Sequence, residues 1–302
     1  MKTLLTSKIR SGLLRPLLPW LVGAFALTAC SEAPISGGDS VPTIANGDRV
    51  DARNPAARST VALVQPFANL PDEYVPYCSG TLIGTDLVVT AAHCVSPRVM
   101  VGFGLGVTDR PVVILGSAYA HEKFGALTSP EFTYDLALIR LDRPAPSFAE
   151  PVAIAEPSDF APGDEVILAG YGRVVPKGTN IARTNPGLLF QVPTRISEVF
   201  PAPPSGDGGG ETSTGRSLGG FSRGSDGSLD SKNIFGLIEF ASDDGRSGGC
   251  QGDSGGPMYL EKEGRLLLLG STVGGPGICA STGYYSNLTQ YAAWIRETAG
   301  KI

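Results

Sequence analysis

The feature that most constrains the fold of this chain is a series of short apolar segments with no helical pattern between them. Glycine, proline and aspartate separate the segments, so each one is bounded by residues that favour turns. The apolar segments are residues 60–64, 87–91, 112–115, 136–141, 165–169, 188–192 and 265–271. Short strands that follow one another in this way are typical of a β-sandwich or a β-barrel. The sequence therefore predicts an all-β fold over most of its length.

The C-terminal segment departs from this pattern. Its apolar side chains recur three, four and seven positions apart, at Leu288, Tyr291, Ala292 and Ile295. This is the spacing of an amphipathic α-helix that packs one face on a core. We expect Asn287 to cap the start of the helix and Gly300 to end it.

Charge and length narrow the classes of partner and fold. The chain has 302 residues, with 24 Lys and Arg against 29 Asp and Glu, so its formal charge is −5. Residues 1–29 hold four of the basic residues and no acidic one, and without them 20 basic residues face 29 acidic ones, a formal charge of −9. Such an acidic chain lacks the positive surface that binds nucleic acid or anionic lipid. The length fits one large all-β domain or two ordinary domains.

Residues 1–29 have the features of an export signal. Four basic residues come first, and a run of 13 mostly apolar residues follows over residues 17–29. That length suits the apolar region of a signal peptide and is short for a membrane span, which takes about 20 residues. Residues 30–43 are mostly polar, with Pro and Gly, and are predicted to be a tether or a propeptide. The folded domain is expected over residues 44–302.

The segment Leu27-Thr28-Ala29-Cys30 resembles the lipobox of bacterial lipoproteins. In that motif the cysteine becomes the lipidated first residue, and two or three acyl chains on Cys30 would hold the protein firmly to a bilayer. Ordinary signal cleavage after Ala26 or Ala29 is the alternative interpretation. The sequence thus predicts an exported bacterial protein. It would be an outer-membrane or periplasmic lipoprotein, or a protein secreted after cleavage.

The cysteine count agrees with export. The chain has five cysteines, and lipidation of Cys30 would leave an even set, namely Cys78, Cys94, Cys250 and Cys279. Exported proteins fold in an oxidising compartment, so two disulfides are expected. The count alone allows three pairings.

Residues 201–230 are rich in Gly and Ser and have low complexity. Such a composition predicts a flexible surface insertion. Loops of this length are uncommon inside compact domains and are usually mobile or functional.

Two histidines are candidates for a general base. His93 directly follows the apolar segment 87–91, between the small Ala92 and Cys94. Small neighbours allow other segments of the chain to approach the imidazole, and a bridged Cys94 would anchor it. His121 lies among charged residues and is interpreted as a structural histidine.

Ser254 and Asp135 are the candidate nucleophile and acid. Ser254 lies in Gly252-Asp253-Ser254-Gly255-Gly256-Pro257, where glycines permit unusual dihedral angles and close approach of a substrate. Taken alone, these residues would equally suit a surface turn. Asp135 opens the apolar segment 136–141, where a partly buried carboxylate needs a partner. A solvated aspartate at a strand end is the alternative.

Three segments taken together resemble the trypsin/chymotrypsin-type serine proteases. They are Thr90-Ala91-Ala92-His93-Cys94, Asp135-Leu136-Ala137-Leu138-Ile139 and the glycine-rich segment around Ser254, in that order along the chain. The resemblance covers about residues 44–302. It implies two packed antiparallel six-stranded β-barrels with a C-terminal α-helix, and an active site between the barrels.

The resemblance also implies a role for each residue of the site. His93 is the base that takes the proton of the Ser254 hydroxyl, and Asp135 holds the imidazole in the right tautomer. The backbone N–H groups of Gly252 and Ser254 would form the oxyanion hole. The implied disulfides are Cys78–Cys94 and Cys250–Cys279.

Activation follows the same resemblance. Ile44-Ala45-Asn46-Gly47 resembles the mature N-terminus of these proteases, whose freed amine pairs with the aspartate before the catalytic serine, here Asp253. Thr43 stands where an Arg or Lys usually precedes the cut, so activation by a trypsin-like cleavage is not expected. One hypothesis is that cutting before Ile44 both activates the enzyme and releases it from a lipid anchor at Cys30. The alternative is that the tethered form is already active or that there is no anchor.

Substrate specificity is expected to depend on small residues. By resemblance Gly248 forms the floor of the primary specificity pocket, and Gly274 and Gly283 its walls. Arg or Lys specificity needs an acid at the floor, because a buried cation needs a partner. We therefore expect cleavage after neutral residues, aromatic or aliphatic. Residues 272–274 (Thr272, Val273 and Gly274) are expected to pair with the substrate backbone as a β-strand.

Two other functional classes remain open from the sequence. One is a catalytically silent binding protein on the same fold, and the other is a structural lipoprotein. No cofactor is expected, since there is no phosphate-binding loop, and the spacing of His and Cys predicts no metal site. The expected partner is a protein or peptide substrate, bound by a monomer.

Overall fold

The computed structural model describes residues 44–67, 70–108, 111–125, 133–175, 187–203, 234–276 and 279–302. The predicted signal peptide, the tether with Cys30, and residues 204–230 of the predicted insertion lie outside the described residues.

The first half of the described chain forms a closed antiparallel barrel of six strands. After the two-residue strand β1 (Asp48–Arg49) and the helical turn α1 (Ala56–Ser59), the barrel is ordered β2-β3-β4-β7-β6-β5. Its strands are β2 (Thr60–Phe67), β3 (Leu70–Leu82), β4 (Leu87–Thr90), β5 (Arg98–Phe103), β6 (Val112–Ala120) and β7 (Ala137–Leu141).

The second half forms another closed six-stranded antiparallel barrel, ordered β9-β10-β11-β14-β13-β12 and closed by the pairing of β12 with β9. Its strands are β9 (Glu165–Gly170), β10 (Phe190–Val199), β11 (Leu237–Ala241), β12 (Pro257–Lys262), β13 (Arg265–Gly274) and β14 (Thr282–Asn287). The short β1 adds to β10, and β8 (Ala153–Ile154) adds to β13. The predicted fold class is confirmed.

The continuous apolar segments of the sequence arise because strands at the junction of the barrels are buried on both faces. In β4, Val88 packs into the core of the first barrel, whereas Val89 packs with residues of the second barrel. The neighbouring β7 repeats this division with Ile139 and Leu138. Since both faces meet apolar surface, neither strand shows the polar alternation of a half-exposed strand.

Tyr259 shows how the second barrel packs against the first. Its side chain is fully buried, and its hydroxyl is within hydrogen-bond distance of Ser59 Oγ at 2.8 Å and Thr60 Oγ1 at 2.9 Å. Burying a tyrosine requires a partner for its hydroxyl. Each of these contacts therefore fixes the registration of one barrel on the other.

The C-terminal helix is present, but its predicted ends are wrong. Helix α2 spans Ala292–Lys301, and Tyr291 precedes it without a capping side chain. Asn287 is the last residue of β14, and its side-chain oxygen accepts from the backbone N–H and the hydroxyl of Thr289. The asparagine thus organises the turn that leads to the helix, whereas Gly300 lies within its last turn. No described helix is long and apolar enough to cross a membrane.

Candidate active site

His93 is positioned by a short 3-10 turn at the end of a barrel strand. The turn spans Ala92–Cys94 and starts two residues after β4. A disulfide joins Cys94 to Cys78 on β3, so the turn is covalently tied to the neighbouring strand. The imidazole keeps 37% of its surface exposed, which leaves one edge open to a substrate.

Asp135 binds His93 through both carboxylate oxygens. Its Oδ2 lies 2.6 Å from Nδ1 of the ring, and its Oδ1 accepts the backbone N–H of His93 at 2.9 Å. The carboxylate is almost fully buried, with 4% of the side chain exposed. An ionised carboxylate can only accept, so Nδ1 donates and Nε2 is the acceptor of the neutral ring. This is the tautomer that a general base requires.

Residues of the second barrel and the C-terminal region hold the main chain around Asp135. Tyr134 has a positive φ of 64°, a conformation that costs free energy in a residue with a side chain. Its backbone N–H donates to the Tyr291 hydroxyl at 3.2 Å. The hydroxyl of the buried Ser286 donates to the Asp135 carbonyl at 3.1 Å. The main chain is therefore held at the N–H of the strained Tyr134 and at the carbonyl of Asp135.

The Ser254 loop packs directly on the first barrel. The Ser254 carbonyl accepts the Ser79 backbone N–H at 2.8 Å. Gly255 has a φ of 78°, and a methyl group on it would lie 2.1 Å from Thr90 Oγ1 and 2.9 Å from the Ala91 nitrogen. A side chain at position 255 would push the loop off β4, three residues before His93. Glycine here brings the serine loop and the histidine turn together.

The structure brings the three predicted residues to one place but forms only one of the two side-chain hydrogen bonds of a triad. The bond between His93 and Asp135 is present. Within the described residues, no hydrogen bond joins the Ser254 hydroxyl to the imidazole. Catalytic hydrogen bonds are often long or misaligned in the absence of substrate and tighten when it binds.

Two backbone N–H groups are available for an oxyanion. Neither the Gly252 nor the Ser254 N–H donates to an acceptor among the described residues. Gly252 has a φ of 99°, which favours glycine. Unpaired donors next to a nucleophile are the arrangement that stabilises a developing negative charge on oxygen.

Ser79 fixes the loop that carries these donors, and sequence reasoning missed it. Its hydroxyl donates to the Gly252 carbonyl at 3.1 Å and accepts the Tyr171 N–H at 3.0 Å. The residue is fully buried on β3. It thus links a strand of the first barrel to two segments around the second. Its position directly after Cys78 was the only signal available in the sequence.

Asp253 is a buried carboxylate without a cation in the described chain. Its oxygens accept the Gly172 N–H at 2.8 Å and the Cys250 N–H at 2.7 Å. Burial raises the pKa of Asp253 to about 7, and the two backbone donors lower it only in part. The side chain therefore has an unfavourable charge at neutral pH that a nearby cation would offset.

Ile44 lies in the same region and is almost fully buried, with 1% exposure. The next residue, Ala45, exchanges backbone hydrogen bonds with Gly248 at 3.0 and 3.2 Å. Ile44 has a positive φ of 49°. The segment that was predicted to become the mature N-terminus is thus seated against the segment that leads to Ser254.

The predicted specificity residues differ in the space and the hydrogen-bonding groups that they leave free. The N–H and carbonyl of Thr272 are used within the protein, since they bond to Gly256 and Gly255. A methyl group on Gly274 would meet no atom within 4 Å, so this residue faces open space. Gly248 and Gly283 are instead crowded by neighbouring atoms. Val273 is buried, at the register shift in β13.

His121 lies in an aromatic cluster rather than in the cleft. Its ring stacks on Trp294 with centroids 4.8 Å apart and contacts Tyr134 at 4.7 Å. Nδ1 accepts the Lys123 backbone N–H at 3.2 Å, and burial lowers the pKa of the ring. A neutral histidine that fills an aromatic cluster supports Tyr134, the residue before Asp135.

One group of side chains has the composition of a metal site. Cys78, His93 and Cys94 place their ligand atoms within 4.8 Å of one another. The two sulfur atoms are bonded to each other, and metal binding requires thiolates. The second disulfide joins Cys250 to Cys279. Both predicted pairings are present in the structure.

The comparison with protein families decides the relationship. The model of the family described as Trypsin matches residues 55–193 and 234–295, more than half of the chain. The chain belongs to the trypsin family. Membership makes it a serine-type endopeptidase, a hydrolase of peptide bonds. The matched ranges contain His93, Asp135 and Ser254, and they omit residues 194–233, which hold the glycine-rich insertion.

Individual relatives agree with this family. Trypsin II-P29 of Gallus gallus is 29% identical over 254 residues, which cover 76% of this chain and 86% of that protein. Kallikrein-8 of Rattus norvegicus is 26% identical over 236 residues, which cover 74% of this chain and 77% of that protein.

A solved structure confirms the fold. It is that of neuropsin, a serine protease expressed in the limbic system of mouse brain, with a TM-score of 0.58 and 22% identity. The likeness covers 84% of this chain and 98% of that one.

Proposed function

We propose that this trypsin-family member is an exported endopeptidase that cleaves peptide bonds with His93, Asp135 and Ser254. The observation that carries the proposal is the pair of hydrogen bonds that Asp135 accepts from His93, beside a serine loop with two unpaired backbone donors. A buried carboxylate that holds both the ring and the backbone N–H of one histidine has no structural need to leave the rest of that ring exposed. A general base, in contrast, needs a ring nitrogen that a substrate-binding serine can reach.

The reaction follows from these positions. Nε2 of His93 takes the proton of the Ser254 hydroxyl as Oγ bonds to the carbonyl carbon of the substrate. The carbonyl oxygen becomes an oxyanion, and the N–H groups of Gly252 and Ser254 stabilise it. The C–N bond then breaks, the imidazolium gives its proton to the leaving amine, and an acyl-enzyme remains. Water repeats these steps and releases the acid.

Labelling with a fluorophosphonate tests this function. We expect the active protein to be labelled and to hydrolyse a casein substrate, and Ser254→Ala to lose both properties. Asp135→Asn should lower kcat by about 10⁴, because the imidazole then takes the wrong tautomer. A folded protein without labelling or hydrolysis would favour the catalytically silent binding protein instead.

We propose that cleavage before Ile44 completes the site. The freed amine would be an ammonium ion at neutral pH, with an ordinary pKa near 8. Support comes from the buried Ile44, the pairing of Ala45 with Gly248, and the buried Asp253 carboxyl, which has no cation beside it among the described residues. N-terminal sequencing of active material tests this step. An active species that still begins at Cys30 would contradict it.

Export and anchoring at Cys30 are part of the same proposal. Two disulfides in the described chain fit an oxidising compartment. If Cys30 is lipidated, the wild type should partition with membranes and Cys30→Ser should be soluble. Cleavage before Ile44 should release the wild type from the membrane while activity rises. Release without a change in activity would separate anchoring from activation.

The substrate is proposed to be a protein or peptide with an uncharged residue before the cut. Gly248 supplies no acid for a basic side chain, and a buried cation without a partner is costly. Val273 and Gly274 are the proposed partners of the substrate backbone, since the N–H and carbonyl of Thr272 are occupied by the Ser254 loop.

A further inference from the structure

Phe240 lies where the base of the primary specificity pocket is expected. It is on the inward face of β11, with 2% of its surface exposed, and it packs edge to face on Tyr285 with ring centroids 5.8 Å apart. Its partner across the β11–β14 ladder is Gly283. Gly283 is expected in the pocket wall by resemblance, whereas no sequence motif assigns a role to Phe240.

The Phe240 ring takes the space that the absent side chains of two glycines would fill. A methyl group on Gly283 would lie 2.7 Å from Cε1 of the ring, and one on Gly248 would lie 3.0 Å from Cε2. The same methyl group on Gly248 would lie 2.1 Å from the Ala280 carbonyl oxygen. Real Cβ atoms do not approach neighbours as closely as 2.1 or 2.7 Å, and a contact of 3.0 Å is tighter than most of theirs. The two glycines therefore do not leave an open pocket at this depth, because one aromatic ring lies between them.

The upper part of the same region is open. Methyl groups on Gly249 and Gly274 would meet no atom within 4 Å. Gly249 follows Gly248 directly, and Gly274 ends β13. The region is thus open at Gly249 and Gly274 and filled at Gly248 and Gly283. Such an arrangement would accept a short substrate side chain and stop a long one.

The nearby acids do not convert this region into a site for basic residues. The side chain of Asp243 is 77% exposed and pairs with Arg195. Asp244 accepts the N–H groups of Arg246 and Ser247 and the Ser247 hydroxyl. Asp243 is thus committed to a residue of β10, and Asp244 is committed within its own surface loop.

We infer that Phe240 sets the depth of the specificity pocket, so that the enzyme cleaves after small uncharged residues such as Gly, Ala and Ser. The inference rests on the proposed function. It narrows the proposed uncharged residues to small ones and departs from the expectation of aromatic or large aliphatic residues. Close-packed protein interiors resist the insertion of larger groups. A phenylalanine or leucine side chain of a substrate would therefore have to displace the buried ring.

A substrate panel with matched variants tests the role of Phe240. Peptides that differ only in the residue before the cut (Gly, Ala, Ser, Leu, Phe or Arg) are compared by kcat/KM. We expect the wild type to prefer Ala over Phe by about 100-fold, the size of a steric discrimination spread over several carbons. Phe240→Ala should raise the Phe/Ala ratio by at least about tenfold. Ile238→Ala, which truncates the preceding inward-facing residue of β11, should leave the ratio unchanged.

A binding experiment keeps the inference testable without catalysis. In the Ser254→Ala background, indole should bind the Phe240→Ala protein by calorimetry, and a peptide with Phe before the cut should displace it. It should not bind the parent or Ile238→Ala in a displaceable way. Phe240→Leu serves if the alanine variant unfolds. A wild type that prefers Phe or Leu, or displaceable indole binding to the parent, overturns the inference. Loss of all Ser254-dependent hydrolysis overturns the proposed function alone.

Discussion

Freeing the Ile44 amine should reverse the pH dependence of stability that the buried Asp253 imposes. Burial raises the pKa of this carboxyl from 3.8 to about 7, so the folded uncleaved protein favours the protonated form. Its contribution is complete below the unfolded pKa and is lost as pH rises from about 4 through about 7. At 1.36 kcal/mol for each unit of pKa, the loss is about 4 kcal/mol.

Cleavage before Ile44 should abolish this loss. An ammonium ion beside the carboxylate favours the charged form and lowers the pKa of Asp253. The amine in turn gains a partner, so its own pKa rises above the unfolded value near 8. Stability should then hold across neutral pH and fall only as the amine deprotonates, above about pH 8.

Four substitutions make the comparison possible in one protein. Asp39 already precedes Ser40-Val41-Pro42-Thr43, and replacing these four by Asp-Asp-Asp-Lys creates an enteropeptidase site that ends before Ile44. The free energy of unfolding is measured by urea denaturation between pH 4.5 and 8.5, before and after cleavage. Asp253→Asn is the control in both forms.

Comparison with this control also cancels the contribution of His121, another buried group whose pKa is shifted. Burial lowers the pKa of His121, so that histidine stabilises the fold as pH rises towards its ordinary value, opposite in sign to Asp253. His121 is present in every protein compared, so its effect cancels in the difference. An uncleaved protein whose pH profile matches that of Asp253→Asn would refute the reasoning about the buried carboxylate.

Three further substitutions address the supports of the site. Ser79→Ala should lower kcat and cost about 1–3 kcal/mol in unfolding free energy, since two buried backbone groups lose their partner. Ser79→Thr, which keeps the hydroxyl, should recover much of the activity. Tyr291→Phe should cost about 1–3 kcal/mol by the same reasoning and lower kcat more than it changes KM, because the Tyr134 N–H loses its acceptor. Replacing Cys78 and Cys94 by Ala should cost about 3 kcal/mol in non-reducing denaturation, from the 16-residue separation of the bridge.

The sequence predicted the elements and residues that short-range chemistry determines. The apolar segments became strands, and His93 and Asp135 are joined as the motifs indicated. Both disulfides have the implied pairing. Each of these features can be recognised in a short stretch of sequence, either as a run of apolar residues or as a motif.

Features that depend on contacts between distant strands were not predictable in this way. Ser79 matters because of what it faces across the junction of the barrels, 173 positions from Gly252. Phe240 matters because the β11–β14 register sets it opposite Gly283. The start of α2 was placed too early because Asn287 has the chemistry of a helix cap, whereas the ladder with β13 keeps it in a strand.

Each barrel holds in place a site residue that belongs to the other barrel. Asp135 belongs to the first barrel, yet its carbonyl is held by Ser286 of the second. Ser254 belongs to the second barrel, yet its carbonyl is held by Ser79 of the first. A small shift of one barrel on the other would therefore displace Asp135 and Ser254 as well as the residues that hold them. Substitutions at the junction, even far from the imidazole, should consequently have a larger effect on kcat than on the free energy of unfolding of either barrel.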